Sequence, residues 1–399
     1  MKTKISILLC AVLTLASPGL YAATHVVLPG QSIQAAITAA SPGDQIIIKG
    51  GIYVESITID KNLDFRREAG TVVHINGNVT LSGITGTFTF AHFKIGSANN
   101  KILTVTNCAD VYMEDVNATG GGGLSVTNSK VRGKHCWFST TGNITGATEF
   151  YFYDCSFGGN VTFTSSNWTM QECSITGNLT SNTSDTIFLR SNVTGNLYHN
   201  QTDDTNCTVF QSTIGNRLLT RAKRSWIGYN SIRYMDIHGG ALEAEIVGNN
   251  FDLTNGRERC IEIDATNISV HINNNVMRNS WESGNEGGNY GTYGKSGVWI
   301  WKCQKALICN NEFNHLYGPG ILLRSDFGGS ATVTGNLFYT IKNQMINAPF
   351  ENVIFSHNFS ESRNNQSGAS WTTGGVVNGE GNVYGDSTLP ISGLSLIHI

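Results

Sequence analysis

From Ile95 to Phe359 an apolar anchor recurs every 18 to 25 residues, at Ile95, Val116, Phe138, Phe157, Ile175, Val193, Ile214, Ile232, Phe251, Val276, Phe313, Phe338 and Phe359. One interval breaks the range, the 37 residues from Val276 to Phe313. A repeat of this length is one structural unit stacked many times, and insertions into such a stack collect on one face. The repeat therefore constrains the fold, and its interruption marks where function is sought.

The units read as strands. TEFYFYDCSF, VTFTSSNWTM and TIFLRSNV are rich in aromatic and β-branched residues and poor in helix formers. Gly-Asn pairs at Gly142-Asn143, Gly159-Asn160, Gly177-Asn178, Gly195-Asn196 and Gly215-Asn216 suit left-handed backbone and are expected at corners. Short strands and tight corners at this period predict an all-β fold, a single-stranded right-handed parallel β-helix of roughly 12–14 rungs. At about 4.8 Å per rung the prism is on the order of 60 Å long. Two places before successive anchors stand Cys155, Cys173, Ser191, Ser212, Asn230, Asn249, Asn274, Asn311, Asn336 and His357. Stacked in register, they form one buried polar ladder whose amides bond from rung to rung, as buried polar groups require.

At the N-terminus, Gln31 to Gln45 (QSIQAAITAASPGDQ), followed by IIIKGGIYVESITIDKNL, resembles the opening segment of the pectin-lyase-like β-helix superfamily. Ser32 can cap a short helix within 31–41 that turns Ile33, Ala36 and Ile37 to one face and covers the open first rung. The resemblance implies the fold for nearly the whole mature chain. It leaves the activity open, because lyases, hydrolases, isomerases and adhesins share that fold.

The chain has 399 residues, 14% of them charged, and 45 glycines, which suits one elongated domain over 24–385. Residues 1–23 carry Lys2, Lys4, an apolar run and small residues at Ala22-Ala23, the pattern of a removed signal peptide. The expected product is a secreted or cell-surface bacterial protein, monomeric and without a membrane span. Residues 386–399 read as an irregular tail, ending in a stretch that resembles truncation or adapter read-through. Eight cysteines follow the signal, at 108, 136, 155, 173, 207, 260, 303 and 309, too widely spaced for a disulfide scaffold. Cys155 and Cys173 fall in the ladder and are expected as stacked thiols.

Three insertions cluster between the Phe251 and Phe338 anchors: Thr254 to Arg259, a long loop over 279–297, and Leu316 to Gly320. Aromatic faces stack on sugar rings. Trp281, Tyr290, Tyr293, Trp299, Trp301 and Tyr317, with Arg257, Arg259 and Lys295, are therefore expected to bind substrate. The partner class is an extracellular, acidic polysaccharide. With net charge −3, nothing points to nucleic acid.

Lys302 and, 22 residues later, Leu323-Arg324 resemble the Lys…Arg pair of chondroitinase-B and alginate-lyase type polysaccharide lyases. The resemblance implies that Lys302 removes the C5 proton of a uronate while Arg324 assists departure of the 4-linked oxygen. Such chemistry needs a base among cations and positive charge to stabilise the enolate. The sequence departs from that pattern in two ways. No carboxylate lies between Lys295 and Trp301 to hold the calcium expected there, and Ser325-Asp326 follows the arginine. Calcium thus stays open as a cofactor.

Two other classes are weighed. A non-catalytic adhesion solenoid would bind glycan without turnover. A glycoside hydrolase would need two carboxyls about 6.5–9.5 Å apart for inversion. Glu243, Glu245, Glu262 and Asp264 are candidates for that pair, with Asp203-Asp204 and His238-Gly239-Gly240 as weaker motifs. A basic run, Arg217, Arg221, Lys223, Arg224 and Arg233, has no acid until Asp236 and would attract a polyanion.

Overall fold

The computed structural model describes residues 22–96, 102–119, 121, 123–164, 166–182, 185–202, 204–253, 259–278, 296–316, 318–324, 327–339, 341, 345–348, 352–360, 377–378 and 383–384. The expected signal peptide, apart from Ala22 and Ala23, the long loop over 279–295 and the tail from 386 lie outside them.

Every described strand pairing is parallel, and the strands form sheets of 3, 28 and 14 members. One strand per turn builds the 14-stranded face, while two per turn build the 28-stranded one. This is the expected parallel β-helix. Strand alternation sets the core: in Glu149–Tyr153, Phe150 and Phe152 are buried while Tyr151 and Tyr153 turn outward. Like residues stack inside, as with Phe138 on Phe157 at 5.0 Å and Phe313 on Phe338 at 4.8 Å between ring centroids. No helix among the described residues is long and apolar enough to cross a membrane.

The helix forms at Ile33–Ala39, with Ile33 and Ile37 buried. Ser32 Oγ accepts from Ala35 N at 3.0 Å, and Glu55 from a neighbouring turn accepts from Ile33 N at 2.6 Å. Both are N-terminal amides that the helix itself leaves unpaired.

The buried ladder is present, with its register corrected at two rungs. Asn230, Asn249, Asn275, Asn311 and Asn336 each donate a side-chain amide to the Oδ1 of the next member, the last being Asn358, at 2.9–3.0 Å. Asn274 and His357 instead take the left-handed corner, with φ of 56° and 54°. Met277 and Ser360 accordingly stand where Val276 and Phe359 were expected, opposite Phe251 and Phe338. The run Asn273-Asn274-Asn275 hides this choice, because asparagine suits a corner as well as a ladder. Nearer the N-terminus, cysteines continue the ladder as free thiols: Cys136 N donates to Cys155 Sγ at 3.3 Å. Burial pushes the Cys207 thiol up to about 12, so it stays protonated.

The Gly-Asn pairs are not the left-handed corners. That conformation belongs to the residue before each ladder member: Asp154, Glu172, Arg190, Gln211 and Tyr229 have φ of 45–57°. The pairs build a second, shallower ladder, in which Asn178 N donates to Asn160 Oδ1 and Asn196 N to Asn178 Oδ1, both at 2.8 Å. Glycine is required there for space, since a Cβ on Gly177 would lie 2.3 Å from Asn160 Oδ1.

The buried ladder yields a graded stability test. Asn249→Ala strands the Asn230 amide and the Ile227 carbonyl that Asn249 now satisfies. The expected cost is about 1–3 kcal/mol for each buried group left unpaired. Asn249→Ser, the residue type used at Ser191 and Ser212, should cost less. Equal denaturation midpoints for wild type and Asn249→Ala would contradict the ladder's role.

Candidate functional site

The chemistry-bearing residues meet on the outer side of the 28-stranded sheet, over the consecutive strands Ser231–His238, Ile261–Asp264, Val298–Lys302 and Ile321–Leu323. Met235, Ile237, Ile261, Ile263, Val298 and Ile300 point into the core. Alternation sends their neighbours outward, so Asp236, Glu262, Trp299 and Leu322 stand in one column.

The next column, His238, Asp264 and Lys302, contains a β-bulge. Ile263 faces Ile300, but Asp264 faces Lys302, leaving Trp301 as an extra residue. Strict alternation would have turned Lys302 inward. The bulge re-aims it, and both Trp301 and Lys302 reach the outer side, Lys302 as an exposed residue. The Trp299 and Trp301 rings lie nearly parallel (5°) with centroids 5.5 Å apart.

Two guanidinium groups flank this aromatic pair. Arg324 N donates to Ile300 O at 3.0 Å, fixing the strand end, and its Cζ sits 3.9 Å from the Trp301 ring centroid. Arg259 Cζ sits 4.5 Å from that of Trp299. Each contact contributes about 0.5–2 kcal/mol, more where water is excluded. Trp299 is 1% exposed and Arg259 8%, so both lie below the surface, while Trp301 is half-buried with Arg324 over its ring.

Beside the aromatics, on the adjacent rungs, lies a charge network. Arg259 Nε donates to Glu262 Oε2 at 2.7 Å, and Arg217 pairs with Asp236 on the neighbouring rung. Burial raises the Asp236 pKa to about 7; Arg217 and Arg259 oppose that rise, and the adjacent Glu262 reinforces it. Burial lowers the His238 pKa, outweighing Glu262 and Asp264, and favours the neutral ring. Its Nδ1 is 4.0 Å from Asp264 Oδ2, and its buried Nε2 has no hydrogen-bond partner among the described residues.

Donor atoms of Asp236, His238 and Glu262 lie within 4.8 Å of one another. The set does not suit calcium, which takes about six to eight oxygens. It offers an imidazole and two carboxylates, both already neutralised by guanidinium groups.

Asp236 gives a pH test. Its folded pKa stands above that of an unfolded aspartate, so its contribution to stability is complete below the ordinary aspartate value of 3.8. The contribution declines as pH rises and is lost through about 7. Wild type should therefore gain stability relative to Asp236→Asn as pH falls from about 8 to about 4. A pH-independent gap between their unfolding midpoints would contradict the assignment.

Of the expected binding residues, Arg259, Trp299 and Trp301 join this site. Arg257, Trp281, Tyr290, Tyr293, Lys295 and Tyr317 lie outside the described residues, as does Asp203. The four-carboxylate group does not assemble. Glu243 and Glu245 belong to the 14-stranded sheet, opposite Arg224 and Trp226, whereas Glu262 and Asp264 are on the other face. The basic run is partly neutralised, with Arg217 held by Asp236 while Lys223 and Arg224 share Asp204 at 3.6 and 3.8 Å. Sequence reading passed over Asp236 as a site residue because its partner Glu262 is 26 positions away and meets it only through rung register.

No family model matches this sequence, and no curated protein matches it. Among solved structures, it is similar to the PL6 family polysaccharide lyase Pedsa3628 from Pseudopedobacter saltans, 14% identical over 92% of this chain and 94% of that one, with a TM-score of 0.28. The A-module of the Azotobacter vinelandii mannuronan C-5 epimerase AlgE6 is also 14% identical, over 88% and 94%, with a TM-score of 0.28. A PL6 alginate lyase in complex with a trisaccharide is 12% identical, over 92% and 97%, with a TM-score of 0.22.

Proposed function

We propose that this chain is a secreted lyase of an acidic, uronate-containing polysaccharide, with Lys302 as base and Arg324 as its electrostatic partner. The observation that carries the reading is the bulge at Trp301, which sets Lys302 on the outer face one residue from the ring that Arg324 covers.

The Lys302 amine takes the proton from C5 of the uronate. The electron pair forms the C4–C5 double bond, and the C4–O bond breaks. The departing oxygen takes a proton from water and leaves as a hydroxyl. Negative charge on the uronate carboxylate grows as the C5 proton leaves, and the Arg324 guanidinium stabilises it. The buried Arg259–Glu262 pair packs against Trp299, which keeps the aromatic pair and Arg324 in place before substrate arrives.

The deciding experiment follows absorbance of the unsaturated product with polygalacturonate, alginate and chondroitin sulfate, with and without calcium. A rising signal supports the lyase. A flat trace on every polymer with retained binding to any of them replaces it with a glycan-binding solenoid that cleaves nothing.

A further inference from the structure

Near the N-terminus the stacking of rungs is interrupted. Strand Asp64–Arg67 ends the 3-stranded sheet, strand Thr87–Ala91 begins the 14-stranded one, and no strand pairing joins the two. Phe65 closes the gap from inside, its ring stacked on Phe90 at 6.1 Å and tilted against Phe93 at 5.3 Å. On the outside lies a hollow of about 680 Å³, with Asp64, Arg66, Arg67, Thr87, Thr89 and His92 in its lining. That volume falls in the range of small-molecule sites, about 300–1,000 Å³. The hollow stands ten strand steps along the prism from Lys305–Cys309, the strand that follows Lys302, on the order of 50 Å away.

The carboxylates in and around this hollow already have partners. Arg66 Nε donates to Asp64 Oδ1 at 2.9 Å. Glu68 pairs with Lys49 at 2.5 Å, Asp110 with Arg132 at 2.7 Å, and Asp115 lies 2.9 Å from His92 Nδ1. Arg67 differs: no carboxylate pairs with it among the described residues, and its buried Nε donates to nothing there. A buried donor without an acceptor is destabilising, and an acceptor entering from the hollow relieves it. Two guanidinium groups against one carboxylate make the lining net positive, which opposes a cation. A neutral ligand would leave the Arg67 charge unpaired. We infer that this hollow is an oxyanion site, in which Arg67 takes the carboxylate or phosphate of a small polar molecule and the Thr87 and Thr89 hydroxyls donate beside it. The planar fork of a guanidinium suits both groups. A uronate unit carries such a carboxylate. In that form the inference rests on the polysaccharide reading above, and adds a second holding point remote from the proposed catalytic pair. Holding one chain at two points raises its effective concentration at each.

The test is calorimetric titration of Lys302→Ala, so that no sugar is consumed, with digalacturonate, dimannuronate, inorganic phosphate and neutral maltose. Arg67→Gln and Thr89→Glu are each added to that background. The first removes the fork, and the second sets a carboxylate at an exposed position of the lining. Thermal denaturation checks that each is folded, and Thr89→Glu decides the matter if Arg67→Gln is not. The parent is expected to bind an anion in preference to maltose, and either substitution to weaken that binding about tenfold or more. A uronate disaccharide bound in this way assigns the site to the polymer. Phosphate bound alone assigns it to a phosphorylated molecule and removes the link with the polymer. No anion bound by the parent, equal affinity in all three proteins, or maltose bound as tightly as the anions overturns the oxyanion site. Binding lost with Arg67 when wild type forms no unsaturated product sinks the lyase reading and leaves the oxyanion site standing. Product formed with anion binding unchanged in both variants does the reverse.

Discussion

Lys302→Ala is expected to lower formation of unsaturated product by about 10²–10⁴-fold, the range for removing a positioned general base. Binding of the polymer should survive. The Lys302 side chain is exposed at the end of its strand, so truncating it leaves no buried partner stranded. Arg324→Ala should also depress turnover but with a different signature, because the guanidinium covers the Trp301 ring. Its loss removes both transition-state charge and the packing that fixes the Trp299–Trp301 pair. Arg324→Lys should restore charge without the planar stack and recover only part of the rate. The measurement is initial rate by product absorbance beside retardation in polymer-containing gels. A Lys302→Ala protein with wild-type turnover would remove the proposed base altogether.

Glu262→Ala is expected to give the largest loss of stability, about 3–5 kcal/mol, because it strips a buried guanidinium of its carboxylate. Arg259 and Glu262 are both nearly sealed, and Arg259 also lies against Trp299. The effect should reach the surface, because displaced Arg259 no longer supports the aromatic pair on which Arg324 rests. Urea denaturation measures the first effect and turnover the second. Glu262→Gln separates charge from shape. It should also lower the Asp236 pKa, because the neighbouring carboxylate helps hold that pKa near 7. A merely space-filling Glu262 would leave the pH dependence of stability unmoved.

Features carried by local periodicity were readable in the sequence. The repeat, its strands, the Ser32 cap and most of the polar ladder follow from side-chain spacing within one turn. What could not be read depends on single-residue register. In Asn273-Asn274-Asn275 three identical residues divide among a strand, a corner and the ladder, and only stacking against Asn249 and Asn311 decides between them. Whether Lys302 faces water turned on a bulge that no local pattern announces. Asp236 looked like the end of a basic run, because its partners Arg217 and Glu262 come from the rungs on either side.

The change of ladder chemistry divides the prism mechanically. At Ser191 and Ser212 one hydroxyl or amide oxygen receives a single backbone amide from the rung before. From Asn230 onward each rung is tied to the next by two bonds, its backbone N and its Nδ2 both reaching the same Oδ1. A solenoid yields where coupling between neighbouring repeats is weakest. Under tension along the axis, or at the onset of thermal fraying, the thiol and hydroxyl half should part first. The doubly tied half is the one beneath Lys302 and Arg324, so the more strongly coupled rungs underlie the proposed catalytic pair.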